Sequence, residues 1–163
     1  MKKITPFLWF DNKAEEAMKF YTSVFKNSKI LGIKYWPDNN PFPEGSAMAG
    51  KVMTGTFELD GQQFYCMDAG PMFKFTEAIS MFVSCNGQEE VDYFWEKLTA
   101  DGGEESMCGW LKDKFGLSWQ IIPEGWDALM NDPDPEKAQR AMQALMQMRK
   151  IDIEAIKQAV ELG

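Results

Sequence analysis

The chain has 163 residues, 45% of them apolar and 26% charged, with a net charge of −8 and no histidine. That is room for one ordinary domain or two half-domains sharing a core, in a composition typical of globular proteins. No cluster of Lys and Arg suits a nucleic-acid backbone, and the lack of imidazole excludes Ser-His catalysis, Cys-His catalysis and histidine metal ligation.

In chain order, Ile4–Phe10 is a short apolar run rich in aromatics and predicts a buried strand, broken by Asp11-Asn12-Lys13. Ala14, Ala17, Met18, Tyr21, Val24 and Phe25 then form one stripe at helical spacing. Lys29–Trp36 reads as a second strand, and Pro37–Gly50, with three prolines, as a loop. Lys51–Leu59 and Gln62–Met67 flank Asp60-Gly61, the signature of a tight hairpin. The first module is therefore βαβββ.

The order then repeats. Ala78–Cys85 predicts a strand and Glu89–Thr99 a helix, and two or three further strands run from Glu104 to Pro123. Glu15–Tyr21 lies over Glu89–Trp95 at an offset of 74, and Asp60-Gly61 lies over Asp113-Lys114. Beyond the repeat, Asp134 and Pro135 make a helix start, and Asp152 caps a last helix with Ile153, Ile156 and Val160 on its stripe. The expected organisation is α+β: a first βαβββ module at 1–70, a second at 71–125 and a C-terminal helical extension at 126–163, in one structural domain.

No apolar run reaches the roughly 18 residues of a membrane span. The basic start Met1–Pro6 is not followed by a cleavable apolar core. Cys66, Cys85 and Cys108 are odd in number and widely spaced, which reads as reduced thiols in a cytoplasmic protein.

Four separated stretches, Ile4–Asp11, Gly70–Phe75, Cys108–Asp113 and Asp132–Pro135, together resemble the PhnB-like branch of the vicinal oxygen chelate (glyoxalase/bleomycin-resistance) superfamily. That branch carries the label of a 3-demethylubiquinone-9 3-methyltransferase. The resemblance covers nearly the whole chain and implies paired βαβββ modules with curled mixed sheets, and commonly a homodimer. The methyltransferase label finds no support in the residues. Nucleotide-type methyl donors sit on a glycine-rich turn after a first strand, and here that turn is Asp11-Asn12-Lys13-Ala14.

The resemblance also implies a divalent metal held by residues of the first and last strands of each module. Carried over by position, these fall at Ile4 or Pro6, Ala78 or Ser80, Met67 and Gln120. None is ionisable, so neither a metal nor another cofactor is expected. Strand alternation puts Ser80 and Phe82 on the cavity side, and the repeat offset assigns Pro6, Leu8 and Phe10 to the same side, with Phe7 and Trp9 under the helix. The expected ligand-binding set is Leu8, Phe10, Trp36, Tyr65, Met67, Ser80, Phe82, Trp110 and Gln120. Trp119 is a further stacking candidate.

Cys108 and Asp68 are the candidates for catalysis, with Asp11 also at a strand end; Cys108 would need activation without a histidine. The leading expectation is metal-independent binding of a small molecule by a homodimer with no nucleic-acid or membrane partner. The alternatives are an enzyme acting through a metal or Cys108, and a structural dimer whose cavity is filled by side chains.

Overall fold

The computed structural model describes residues 3–43 and 47–161. Met1 and Lys2 of the basic start, residues 44–46 of the expected loop and residues 162–163 lie outside them. The chain divides into two compact units, Met1–Lys74 and Phe75–Gly163, so the helical extension belongs to the second.

In the first unit, β1 (Phe7–Phe10) leads to α1 (Ala14–Val24), followed by β2 (Lys29–Tyr35), β3 (Val52–Leu59) and β4 (Gln62–Asp68). The sheet order is β1-β4-β3-β2, parallel between β1 and β4 and antiparallel elsewhere. Asp60 and Gly61 both take positive φ, which the two-residue turn of the β3–β4 hairpin requires. One face of this sheet meets α1: Tyr21 stacks on Phe57, and Ala17, Met18, Phe57 and Cys66 are fully buried.

The second unit repeats the plan. It holds β5 (Ser80–Cys85), α2 (Gly87–Thr99), β6 (Glu104–Glu105), β7 (Trp110–Lys112) and β8 (Ser118–Pro123), in the order β5-β8-β7-β6 with β5 and β8 parallel. Two mixed sheets with the same permuted order are what the expected βαβββ repeat demands. Val91, Trp95 and Leu98 are the buried stripe of α2, three residues that fall under Ala17, Tyr21 and Val24 of α1 at the predicted offset of 74.

After β8 the chain forms α3 (Trp126–Met130), α4 (Pro135–Leu145) and α5 (Ile153–Glu161). Asp134 caps α4 as expected by accepting from the Glu136 amide at 3.0 Å, with Pro135 in the first turn. Asp152 does the same for Ala155 at 3.0 Å. The sequence did not announce α3: it is five residues long and starts after a left-handed Gly125 without a side-chain cap. Ile122, Ala141, Leu145, Ile151 and Ile156 form the core under these helices. The segment before α5 is also stitched by backbone bonds, with the Cys108 and Gly109 amides donating to the carbonyls of Met148 and Arg149, both at 2.8 Å. The Gln88 side chain closes the seam, donating to the Ile151 carbonyl and accepting from the Ile153 amide, both at 2.9 Å.

Candidate functional site

In each unit the sheet face turned away from the helix offers side chains for recognition. Ladder partners share a face, so these sets can be read from the register. In the first sheet Trp9 lies beside Met67 and Phe7 beside Tyr65, the last two with rings 6.1 Å apart. Phe7 is 55% exposed. Leu8 and Phe10 lie on the opposite face, beside Cys66 and Asp68, and are buried in the α1 core. Their expected place on the cavity side is thus corrected, as is the expected packing of Phe7 and Trp9 under the helix.

The reason is a single residue. Trp9 flanks Met67 as Phe82 flanks Gln120, so the first strands match at an offset of 73 while the helices match at 74. From the matched strand position to the matched helix position the chain runs from Trp9 to Ala17 in the first unit and, one residue further, from Phe82 to Val91 in the second, and in a strand a shift of one exchanges the faces.

In the second sheet the expected residues do come together. Ser80 and Phe82 of β5, Gln120 of β8 and Trp110 of β7 share the open face. Gln120 Nε2 donates to Ser80 Oγ at 2.8 Å, and Phe82 is 61% exposed. Trp119 points the other way into the core, its indole donating to Asp113 Oδ2 at 2.9 Å. Next to this group lies a cavity of about 130 Å³ lined by residues that include Glu104, Trp110, Lys112 and Ser118. That is below the roughly 300–1,000 Å³ of drug-sized sites.

The remaining candidates serve the framework. Trp36 donates its indole N–H to the Asp68 carbonyl at 2.9 Å and packs edge-on against Phe42, closing the base of the long loop. Asp68 is buried; its Oδ1 accepts from the amides of Lys13 and Ala14 at 2.9 Å, and its Oδ2 from Val52 at 3.1 Å. Asp113, also buried, accepts from the Phe115 and Leu117 amides as well as from Trp119. Asp11 is exposed. Cys108 has a positive φ of 59° and packs against the helical extension, its thiol 3.8 Å from the Leu145 carbonyl.

Burial pushes the thiols of Cys66 and Cys85 up to about 12. Native protein treated with iodoacetamide at neutral pH should therefore leave both unmodified, whereas denatured protein should take up three labels. The sign for stability follows. Between the ordinary thiol pKa of 9.0 and about 12 the unfolded chain has lost protons that the fold retains, so stability falls as pH rises through that window. Labelling of Cys66 or Cys85 in the native state by mass spectrometry would contradict the burial.

The metal implied by the resemblance does not fit this donor set. The open-face positions of the first and last strands are Phe7, Trp9, Tyr65 and Met67 in one sheet and Ser80, Phe82, Ser118 and Gln120 in the other. None supplies the carboxylate, imidazole or thiolate that a divalent ion requires. Among the described residues no group of three or more Cys, Asp or Glu is placed to hold one. An ion bound at a hundredfold excess over its Kd would add about 2.7 kcal/mol. Thermal melts with Mn²⁺, Ni²⁺ or Zn²⁺ should show no such gain, and a rise of several degrees with one of them would overturn this assignment.

Two βαβββ units with permuted mixed sheets define the class: a vicinal oxygen chelate (glyoxalase/bleomycin-resistance) fold. Residues 2–122 match the family described as 3-demethylubiquinone-9 3-methyltransferase. The PhnB protein of Bacillus cereus, described by the same name, is 42% identical; the match covers 75% of this chain and 99% of that one, with a TM-score of 0.67. The chain belongs to this 3-demethylubiquinone-9 3-methyltransferase-like (PhnB) family. A Pseudomonas aeruginosa protein is 18% identical over 76% of this chain and 98% of its own, with a TM-score of 0.62. A point mutant of the fosfomycin resistance protein FosX of Listeria monocytogenes, complexed with Mn(II) and a dihydroxypropylphosphonic acid, shares the fold at 15% identity and a TM-score of 0.50. That match covers 73% of this chain and 90% of FosX. No curated protein matches. The family match ends at residue 122, so the helical extension, expected to belong to the resemblance, lies outside it.

Proposed function

We propose that the protein is a cytoplasmic homodimer that binds a small, partly apolar molecule without a metal, on the open face of its second sheet. One observation carries the reading: Phe82 stands 61% exposed in mid-strand, beside the bonded Ser80–Gln120 pair and Trp110. An exposed aromatic flanked by a few fixed polar groups is the composition of a ligand platform. No helix among the described residues is long and apolar enough to cross a membrane. The expectation of a dimer is supported by Met142 and Met146, which stand 45% and 60% exposed on or next to α4.

An enzymatic reading through Asp68 or Cys108 has less behind it, since the Asp68 oxygens are engaged by backbone amides and Cys108 packs against the helical extension. No step of methyl transfer is derived from these residues.

Titration calorimetry with indole tests the platform. Burying a phenyl ring is worth about 1.5–3 kcal/mol, so Phe82→Ala should weaken indole binding by about tenfold or more. Equal affinity in wild type and variant, or no binding in either, would sink the reading. Sedimentation equilibrium tests the dimer, and a monomer throughout would remove that part.

A further inference from the structure

The chain holds six asparagines, and one of them, Asn86, precedes a glycine. It stands exposed where β5 hands over to α2. Asn86 occupies the N-cap position of that helix yet caps nothing: its side chain makes no hydrogen bond among the described residues. Its own amide donates to Glu90 Oε2 at 2.8 Å, which fixes the backbone while the carboxamide stays unheld.

Gly87 completes the arrangement. Its φ of 80° is one that residues with a side chain rarely adopt, so the fold asks for glycine here. A Cβ at this position would meet nothing within 4 Å, so no neighbour crowds the peptide nitrogen. That nitrogen heads a helix, where an amide has no intrahelical carbonyl to bond, and it donates to no other group among the described residues. The other asparagines lack one part or another. The amide after Asn12 is tied to Asp68 Oδ1 at 2.9 Å. The residue after Asn40 is Pro41, which has no N–H. Asn131 has its Nδ2 held by the Asp127 carbonyl at 2.9 Å. Asn27 and Asn39 are followed by Ser28 and Asn40, whose side chains shield the nitrogen that a glycine leaves bare.

We propose that Asn86 is a site of spontaneous deamidation and isoaspartate formation in the native protein. The Gly87 nitrogen gives up its proton to hydroxide and attacks Asn86 Cγ. The N–Cγ bond forms, the Cγ–Nδ2 bond breaks and ammonia leaves. Water then opens the succinimide ring at either carbonyl, to aspartate or to isoaspartate, so that overall a water is consumed and an ammonia released. The location gives the change an effect. Isoaspartate adds a methylene to the main chain between Cys85, whose carbonyl accepts from the Glu124 amide at 2.8 Å, and Gln88, whose side chain clasps Ile151 and Ile153 at 2.9 Å. The lengthened chain sets these attachments against each other, and the side-chain clasp on the helical extension yields first. The site is independent of the platform at Phe82.

The test ages the full chain, native and in urea, at mildly alkaline pH. Peptide mass spectrometry maps the loss of ammonia, and electron-transfer fragmentation separates isoaspartate from aspartate. In the native protein Asn86 should react at least about tenfold faster than Asn12, Asn40 or Asn131, and within about threefold of its own rate in urea. The rate should rise with pH, as attack by a deprotonated nitrogen requires. An Asn86 that survives in the native protein while reacting in urea overturns the proposal, because the fold would then protect it. So does a product that is aspartate without isoaspartate, which is direct hydrolysis rather than ring closure. In the isoaspartate form, hydrogen exchange at the Ile153 amide should quicken several-fold, while Asn86→Ser protein aged in parallel should keep its protection. Equal protection in the two would overturn the loosening of the extension.

Discussion

Asp68→Ala is expected to destabilise the protein by about 3–5 kcal/mol, with a fall in Tm of roughly 10 °C. The side chain is buried, and its two oxygens accept from three backbone amides: Lys13, Ala14 and Val52. Helix α1 has no side-chain cap of its own, since its N-cap residue is Lys13. Asp68 supplies that cap from the far end of the unit, and its charge also complements the positive end of the helix. Alanine would strand two buried donors, the Ala14 and Val52 amides, each worth about 1–3 kcal/mol, and the part-buried amide of Lys13. Asp68→Asn should fall between the two, because an amide keeps one acceptor for α1 but presents N–H to Val52. Denaturant unfolding of the three proteins gives the ranking. An alanine variant as stable as the parent would show that these bonds contribute nothing net, and would reopen Asp68 as a base.

Gly103→Ala should be comparably severe, at about 3 kcal/mol or more, for a steric reason. Gly103 follows a single 3-10 turn (Ala100–Gly102) where the end of α2 meets β7. Its φ of −68° suits any residue, so conformation is no obstacle. Space is. A methyl group there would sit 2.6 Å from Thr99 Cα, 2.7 Å from the Leu98 carbonyl and 2.9 Å from the Lys112 carbonyl. All three are backbone atoms and cannot rotate away. At Gly55 the same methyl would meet Cys66 and the tip of Met18, and a methionine can repack. At Gly32 it would meet nothing within 4 Å. Unfolding free energies should therefore rank Gly32→Ala mildest, Gly55→Ala intermediate and Gly103→Ala worst. A Gly103→Ala protein within about 0.5 kcal/mol of the parent would contradict the close approach.

The elements that the sequence made legible are those whose signal is local. The α1 stripe from Ala14 to Val24, the Asp60-Gly61 turn and the Asp134-Pro135 helix start each declare themselves within a few residues. Ser80, Phe82, Trp110 and Gln120 were also legible as a group, because β5 alternates clearly and β8 follows its turn by a countable distance. Leu8 and Phe10 were misplaced because helix and strand do not share one offset, and a strand turns a one-residue error into the wrong face.

The roles of Asp68 and Asp113 were hidden for a different reason. Asp68 reaches α1 across 54 and 55 residues of sequence, and no local pattern records such a partner.

The seam between the β-strands of the second unit and its helical extension has a consequence for truncation. The family match ends at residue 122. Yet the Cys108 and Gly109 amides, the Gln88 side chain and Ile122 all have partners beyond it. Cutting the chain there would strand these groups and uncover Ile122, so the edge of the second sheet and the last helices stand or fall together.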